Sequence, residues 1–351
     1  GEMMYSDGLS LTVLGRTFAV GEIDRIYVDD SEVTDNIVTV VYDNTSASVT
    51  VAGNIAQYVT ADVSGAHVVV TQSELVGDDT CGEITYVLSG SSEDGSFELD
   101  GSFKATVELQ GLTLTNPSGA PLNIQDGKRI ELSAKKDTDN VLTDGAGGSQ
   151  KGCITCKGHL ELKGKGSLTV NGNTAHGIYA KEYIEMKNCT VNVNSSVKDG
   201  INCNQYFLME SGVLNISGVG DDGIQVSFKD ETDREAEDTG SFTMSGGSVN
   251  VAVTATASKA VKADGDISIS GGSITASVSG GGKWDEADAK TKAASCLSCD
   301  GNMAISAGTL ELTATGGGGK GINCDGSLTI DGGDITVKTS GGMYAYVNGT
   351  E

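Results

Sequence analysis

The sequence predicts an all-β protein: a right-handed parallel β-helix with three short strands per coil, about 23 residues per coil, and an N-terminal β cap region. Three observations carry this expectation. One frame recurs along the second half of the chain, apolar residues alternate with period two inside it, and the 351 residues include 50 glycines against 2 prolines. Alternation of period two is the pattern of strands, and glycine supplies the positive-φ conformations that tight turns between them need.

The frame is anchored on an aliphatic residue: Ile154, Ile178, Ile201, Ile224, Val261, Leu297 and Ile322. The spacings are 24, 23, 23, 37, 36 and 25 residues, and the two long ones hold acidic insertions near 227–240 and 280–293. In the last full unit the three runs are INC, SLTI after Asp325-Gly326, and DITV after Gly332-Gly333. A unit this short with three strands is one β-helical coil, whose equivalent positions stack about 4.8 Å apart. Helical repeats are longer and lack both the glycines and the period of two. The right-handed sense follows from the general preference of parallel crossovers.

The anchor and the residue two later point inward, so Cys156, Ala180, Cys203, Val226, Ala263, Cys299 and Cys324 form a small-residue core ladder. Stacked thiols with parallel Cβ vectors fit a disulfide poorly, so most of the eight cysteines are expected to be free. The CITC and CLSC pairs at 153–156 and 296–299 suggest zinc, but on strands residues three apart face opposite ways and cannot close on one ion. Cys189 falls at a turn position where sister coils carry Gly247 or Gly272.

Residues 1–80 lack the period but contain β-like runs such as IVTVVYD and AHVVVTQ, and are expected to form the cap that an open β-helix end requires. Residues 81–351 form the helix itself, with 81–150 as irregular early coils. The formal net charge of −25 disfavours nucleic acid as a partner and suits divalent cations or simple solubility. No run of 18 apolar residues is present, so no membrane-spanning helix is expected. The opening GEMMYSDG carries no signal-peptide pattern.

Two residues before each anchor the column reads Gly152, His176, Asp199, Asp222, Lys259, Ser295, Lys320. Asp199 and Asp222 then lie one coil apart, and with Asp221 they offer hard oxygen ligands to calcium. The competing readings are a surface ion pair of Asp222 with Lys259, and plain solvated acids. One residue after each anchor, Thr155, Tyr179, Asn202, Gln225, Lys262, Ser298 and Asn323 point outward. Tyr179, Asn202, Gln225 and Lys262 suit a glycan laid along the coils. Trp284, the one tryptophan, lies in the second insertion, where it either stacks on ligand or pins the loop.

The motifs ITYVLSG, LQGLTLTNPSGAPLNIQDGKRIEL, NVLTDG, HGIYAKEYI, DGINC, GDDGI, KAVKADGDISISGG and KGINCDGSLTIDGG resemble the bacterial carbohydrate-binding-domain family of extracellular calcium-binding right-handed parallel β-helices. The resemblance covers roughly residues 38 to 342. It implies affinity for cellulose-like and acidic polysaccharides, structural calcium, and kinship in fold with polysaccharide lyases. Lys259, Ser295 and Lys320 stand where that family carries acids. FAVGEIDRIYVDD also resembles a short motif at the start of secreted bacterial surface proteins, which suggests a lipid-anchored, cell-surface or extracellular location.

Three functions remain open on this reading. The first is non-catalytic, calcium-stabilised polysaccharide binding. The second is a calcium-dependent polysaccharide lyase with Lys262 as base; nearby aspartates hold a lysine protonated unless metal-bound. No arginine falls on this face, since Arg129 precedes the regular coils and Arg234 lies in an insertion. The third is a structural or adhesive surface protein without a sugar site.

Overall fold

A computed structural model describes residues 5–6, 10–13, 16–19, 35–228, 232 and 234–343. Most of FAVGEIDRIYVDD, from residue 20, lies outside the described residues. The architecture is all-β and dominated by large parallel sheets in which strands of successive repeats stack. The anchors pair in register down one sheet: Ile154 with Ile178, then Ile201, Ile224, Val261, Leu297 and Ile322. The second and third runs of each repeat stack in the same way, as Phe207 on Phe242 and Leu214 on Val249 illustrate. Alternation along each strand buries one face, so these inward residues form one continuous core.

Residues 81–150 join the same ladders despite their irregular spacing. Val68 pairs with Phe97, Phe97 with Leu122, and Leu122 with Ile154. Their regularity is hidden because the second and third runs fuse into the single strand Ala105–Asn116, whose register with Ile84–Ser92 shifts between Leu109 and Leu112. Gly111 supplies a φ of 80° at that break.

Before the first coil, two hairpins end the parallel stacking. Ile37–Asp43 lies parallel to Ile84–Ser92 and carries Ser46–Val51 antiparallel on its other edge. Ala66–Gln72 likewise lies parallel to Gly95–Asp100 and carries Val59–Ser64. At the opposite end Leu328, Ile330 and Val337 occupy inward positions yet are exposed among the described residues.

The cysteine pairs require a correction. Cys153 and Cys156 are both buried, as are Cys296 and Cys299, so residues three apart do not face opposite ways. The chain rounds a corner as it enters the strand, and the residue before the anchor turns inward against the third-run ladder. That column is Cys153, Gly177, Gly200, Gly223, Ala260, Cys296, Gly321, all small. A Cβ on Gly223 would lie 2.4 Å from Val251 Cγ1 and 2.5 Å from the Ala260 carbonyl oxygen, which explains the size limit. Burial pushes the Cys156 thiol up to about 12, the reverse of what a metal-binding thiolate needs.

Cys189 lies in a turn column after Gly166 and before Gly212, Gly247, Gly272, Gly308 and Gly333, the last five at φ of 82–107°. All eight cysteines are free, and six of them are buried. Titration of the unfolded, unreduced protein should therefore count eight thiols; four disulfides would contradict the stacking register.

Candidate functional site

The outward ladder of the anchor sheet is continuous. Thr155, Tyr179, Asn202, Gln225, Lys262, Ser298 and Asn323 stand in one register, and Asn123 and Glu98 extend it by two coils; Ser298, expected to point outward, keeps the register but is buried. Parallel stacking at about 4.8 Å places a polar side chain at nearly the repeat of an extended sugar chain. Over Glu98, Asn123, Thr155 and Tyr179 the surface sinks into a groove of about 510 Å³ that Lys151, Lys157 and Lys181 also line. A smaller cavity of about 350 Å³ adjoins it, sharing Tyr179 and Lys151 and adding His176 and Lys198.

These lysines are groove residues that the sequence frame did not single out. The signal was present: Lys151 and Lys198 stand three before an anchor, and Lys157 and Lys181 three after one. On a chain with a net charge of −25 they make a local basic border. Tyr179 is half-buried between them, with Lys151 Nζ 4.9 Å from its ring centroid and His176 stacked beside it at 6.1 Å. Its ring is thus held by neighbours while the groove runs past it.

Asn202 and Gln225 sit one and two coils further, but their amides are engaged. Asn202 Nδ2 donates to Asp199 Oδ2 at 2.9 Å, and Gln225 Nε2 to Ser227 Oγ at 3.1 Å. Asn202 therefore joins the polar ladder to the acidic cluster. Lys262 lines a separate cavity of about 370 Å³ with Lys259, Lys290, Lys292 and Lys320, edged by Asp288, Asp300 and Asp325. Trp284 lies half-buried on the hairpin Lys283–Asp285 and Lys290–Lys292, opposite Thr291, and lines none of these cavities.

Asp199, Asp221 and Asp222 converge, each offering a carboxylate oxygen within 4.8 Å of the others. Asp199 and Asp222 are 3% and 5% exposed, whereas Asp221 faces solvent. Each buried carboxylate accepts the backbone N–H of the next coil: Asp199 Oδ1 from Asp222 at 3.0 Å, Asp222 Oδ1 from Lys259 at 2.7 Å. His176 Nδ1 continues that column by accepting the Asp199 N–H at 3.1 Å. The imidazole proton is then on Nε2, and burial holds His176 down at about 4, so it lends the acids no charge.

The Lys259 ammonium donates to the Ala257 carbonyl at 2.8 Å, so its link to Asp222 is the backbone N–H rather than a surface ion pair. Burial pushes Asp199 up to about 7 and Asp222 up to about 6, with the neighbouring carboxylates adding to the effect. A buried acidic group of this kind either keeps protons or takes a cation. Three carboxylates, two already oriented by backbone donors, form an all-oxygen set of the type that suits calcium.

The chain matches the family model described as "Carbohydrate-binding domain-containing protein" over residues 64–343. A carbohydrate-binding domain-containing protein of Acetivibrio thermocellus is 32% identical over 103 residues, covering 26% of this chain and 36% of that protein. The chain thus aligns with about a third of that relative's length. A solved structure described as the polysaccharide lyase-like protein from C. thermocellum, gadolinium derivative, superimposes with a TM-score of 0.57 at 22% identity, over 87% of this chain and 99% of that one. That likeness is one of fold. With most of its length inside the family match, the chain belongs to the carbohydrate-binding domain-containing protein family.

Proposed function

We propose that the protein is a non-catalytic binder of cellulose-like or acidic polysaccharide, wound as a right-handed β-helix and stabilised by calcium at Asp199, Asp221 and Asp222. The observation that carries this reading is the stretch of polar ladder from Glu98 to Tyr179 lying in a lysine-bordered groove on an otherwise acidic protein. An extended polymer lies along the ladder, its hydroxyls meet Asn123 and Thr155, and its acidic groups meet Lys151, Lys157 and Lys181. Calcium orders the coils beside Asn202. On this reading the protein works extracellularly or at the surface of a bacterium, where such polysaccharides are met. The polysaccharide lyase-like description of its structural neighbour supports the polymer class.

Tyr179 tests the strip. Tyr179→Ala is expected to weaken retention on immobilised polygalacturonate about three- to tenfold, the worth of one aromatic face. The same change should lower unfolding free energy by under about 1 kcal/mol, since the ring sits outside the core. Unchanged retention would remove Tyr179 from the binding strip. A large loss of stability would make the ring structural.

One observation favours the second reading, a lyase. Lys262 stands one coil beyond Gln225, next to the acidic cluster and inside its own lysine-lined cavity. Products absorbing in the ultraviolet, formed from polygalacturonate and abolished by Lys262→Ala, would establish it.

A further inference from the structure

On the second sheet the column preceding each buried run reads Arg129, His159, Tyr183, Tyr206. Tyr183 stacks on Tyr206 with centroids 4.8 Å apart, the His159 ring packs against Tyr183 at 4.6 Å tilted by 57°, and the tyrosine hydroxyls donate to Glu161 and Glu185. From the acidic insertion after Ile224–Val226, Glu235 and Glu237 lie beside His159 of this column. Its Nε2 and Glu237 Oε2 are 3.8 Å apart, and the three ligand atoms lie within 4.8 Å of one another. A hydrogen bond is too long at that distance, but two ligands of one metal stand slightly closer than that.

Two buried atoms beside the cluster point independently to something missing. Gln205 is 0% exposed, donates from Nε2 to Glu235 Oε2 at 3.4 Å, and leaves Oε1 without a partner. Asp238 is 7% exposed, accepts the Glu235 N–H on Oδ2, and leaves Oδ1 without a partner. Both orphans are acceptors, so the cluster lacks a donor or a cation rather than another acceptor. A metal ion carrying water supplies both at once, because bound water is a strong donor.

We infer that His159, Glu235 and Glu237 form a second metal site, for a borderline divalent ion of the zinc or cobalt type, which clamps the acidic insertion onto the second sheet. One imidazole nitrogen with two carboxylates is a donor set for such ions, whereas the all-oxygen aspartate cluster is one for calcium. Gln205 Oε1 and Asp238 Oδ1 then accept from the metal-bound water. Seen in sequence, the pieces are a lone histidine and the run REAED some 75 residues later.

The test is calorimetric titration of the chelator-treated full chain with Zn²⁺, in excess calcium so that the aspartate cluster is occupied, and with Co²⁺ read by visible absorption. One equivalent of zinc is expected, with a cobalt spectrum typical of nitrogen and oxygen ligands. His159→Ala should weaken zinc at least tenfold and erase the cobalt bands, while the melting temperature in calcium stays within a few degrees. Glu235→Gln with Glu237→Gln should do the same and guards against a histidine variant that folds poorly. Proteolysis within 227–240 should slow on adding zinc to the native chain only. No zinc heat, or equal zinc affinity in His159→Ala, would overturn the site. Calcium displacing zinc at equal concentration would reduce it to an acidic patch.

Discussion

Phe242→Ala is expected to lower the unfolding free energy by about 3–5 kcal/mol, the usual cost of removing a buried phenylalanine. Phe242 is fully buried and stacks on Phe207 of the preceding coil with ring centroids 5.5 Å apart and planes 11° apart. The ladder continues to Ile184 on one side and Ile267 on the other. Each inward strand stacks only on those of the neighbouring coils, so no distant core strand can collapse into the cavity. Urea unfolding of the variant measures the loss. Hydrogen exchange should show it concentrated in the coils holding Phe207 and Ile267. Leu328→Ala serves as the control, expected to cost under about 1 kcal/mol because Leu328 is 46% exposed on the last described coil. A cost for Phe242→Ala as small as that of the control would mean the two rings do not share a core.

The second large effect concerns the aspartate cluster. If calcium binds the folded chain alone, stability rises as RT ln(1 + [L]/Kd), about 2.7 kcal/mol at a hundredfold excess over Kd. Asp222→Asn should remove most of that increment while keeping an acceptor for the Lys259 N–H, which Asp222→Ala would also strip away. A melting temperature unmoved by EDTA in the native chain would sink calcium at this site.

Without calcium the same carboxylates set a pH dependence. Folded values of about 7 for Asp199 and about 6 for Asp222 lie above the ordinary carboxylate value near 4. The folded state therefore holds protons that the unfolded state has released. Their contribution is whole below about pH 4 and is lost as pH rises through 6 to 7. His176 runs the opposite way: its value of about 4 lies below the ordinary 6.5, so its contribution is lost as pH falls through that window. Comparing the chelated native chain with Asp199→Asn isolates the carboxylate part. The native chain should lose more stability between pH 5 and 8 than the variant, and calcium should restore it most above about pH 7 because protons no longer compete. Equal pH slopes in the two proteins would show that Asp199 titrates like a solvated acid.

The sequence by itself determined the stacking frame. The anchors from Ile154 to Ile322 and the outward ladder from Thr155 to Asn323 were legible because alternation assigns each residue a face and parallel stacking repeats that assignment every coil. It also assembled Asp199, Asp221 and Asp222, since neighbours along such a column are neighbours in space. Other features depended on the path of the backbone. The corner that turns Cys153 and Cys296 inward breaks strand alternation at one position, and no period marks a corner. The coils within 81–150 were hidden because the fused strand Ala105–Asn116 and unequal connections blur the spacing while the hydrogen-bonded register survives. The groove arises where lysines on either side of successive anchors meet around Tyr179, and the bond from Asn202 to Asp199 turns an expected sugar contact partly toward the acids. The meeting of Glu235 and Glu237 with His159 was least legible of all. An insertion has no place in the repeat, so only the folded chain decides which face it covers.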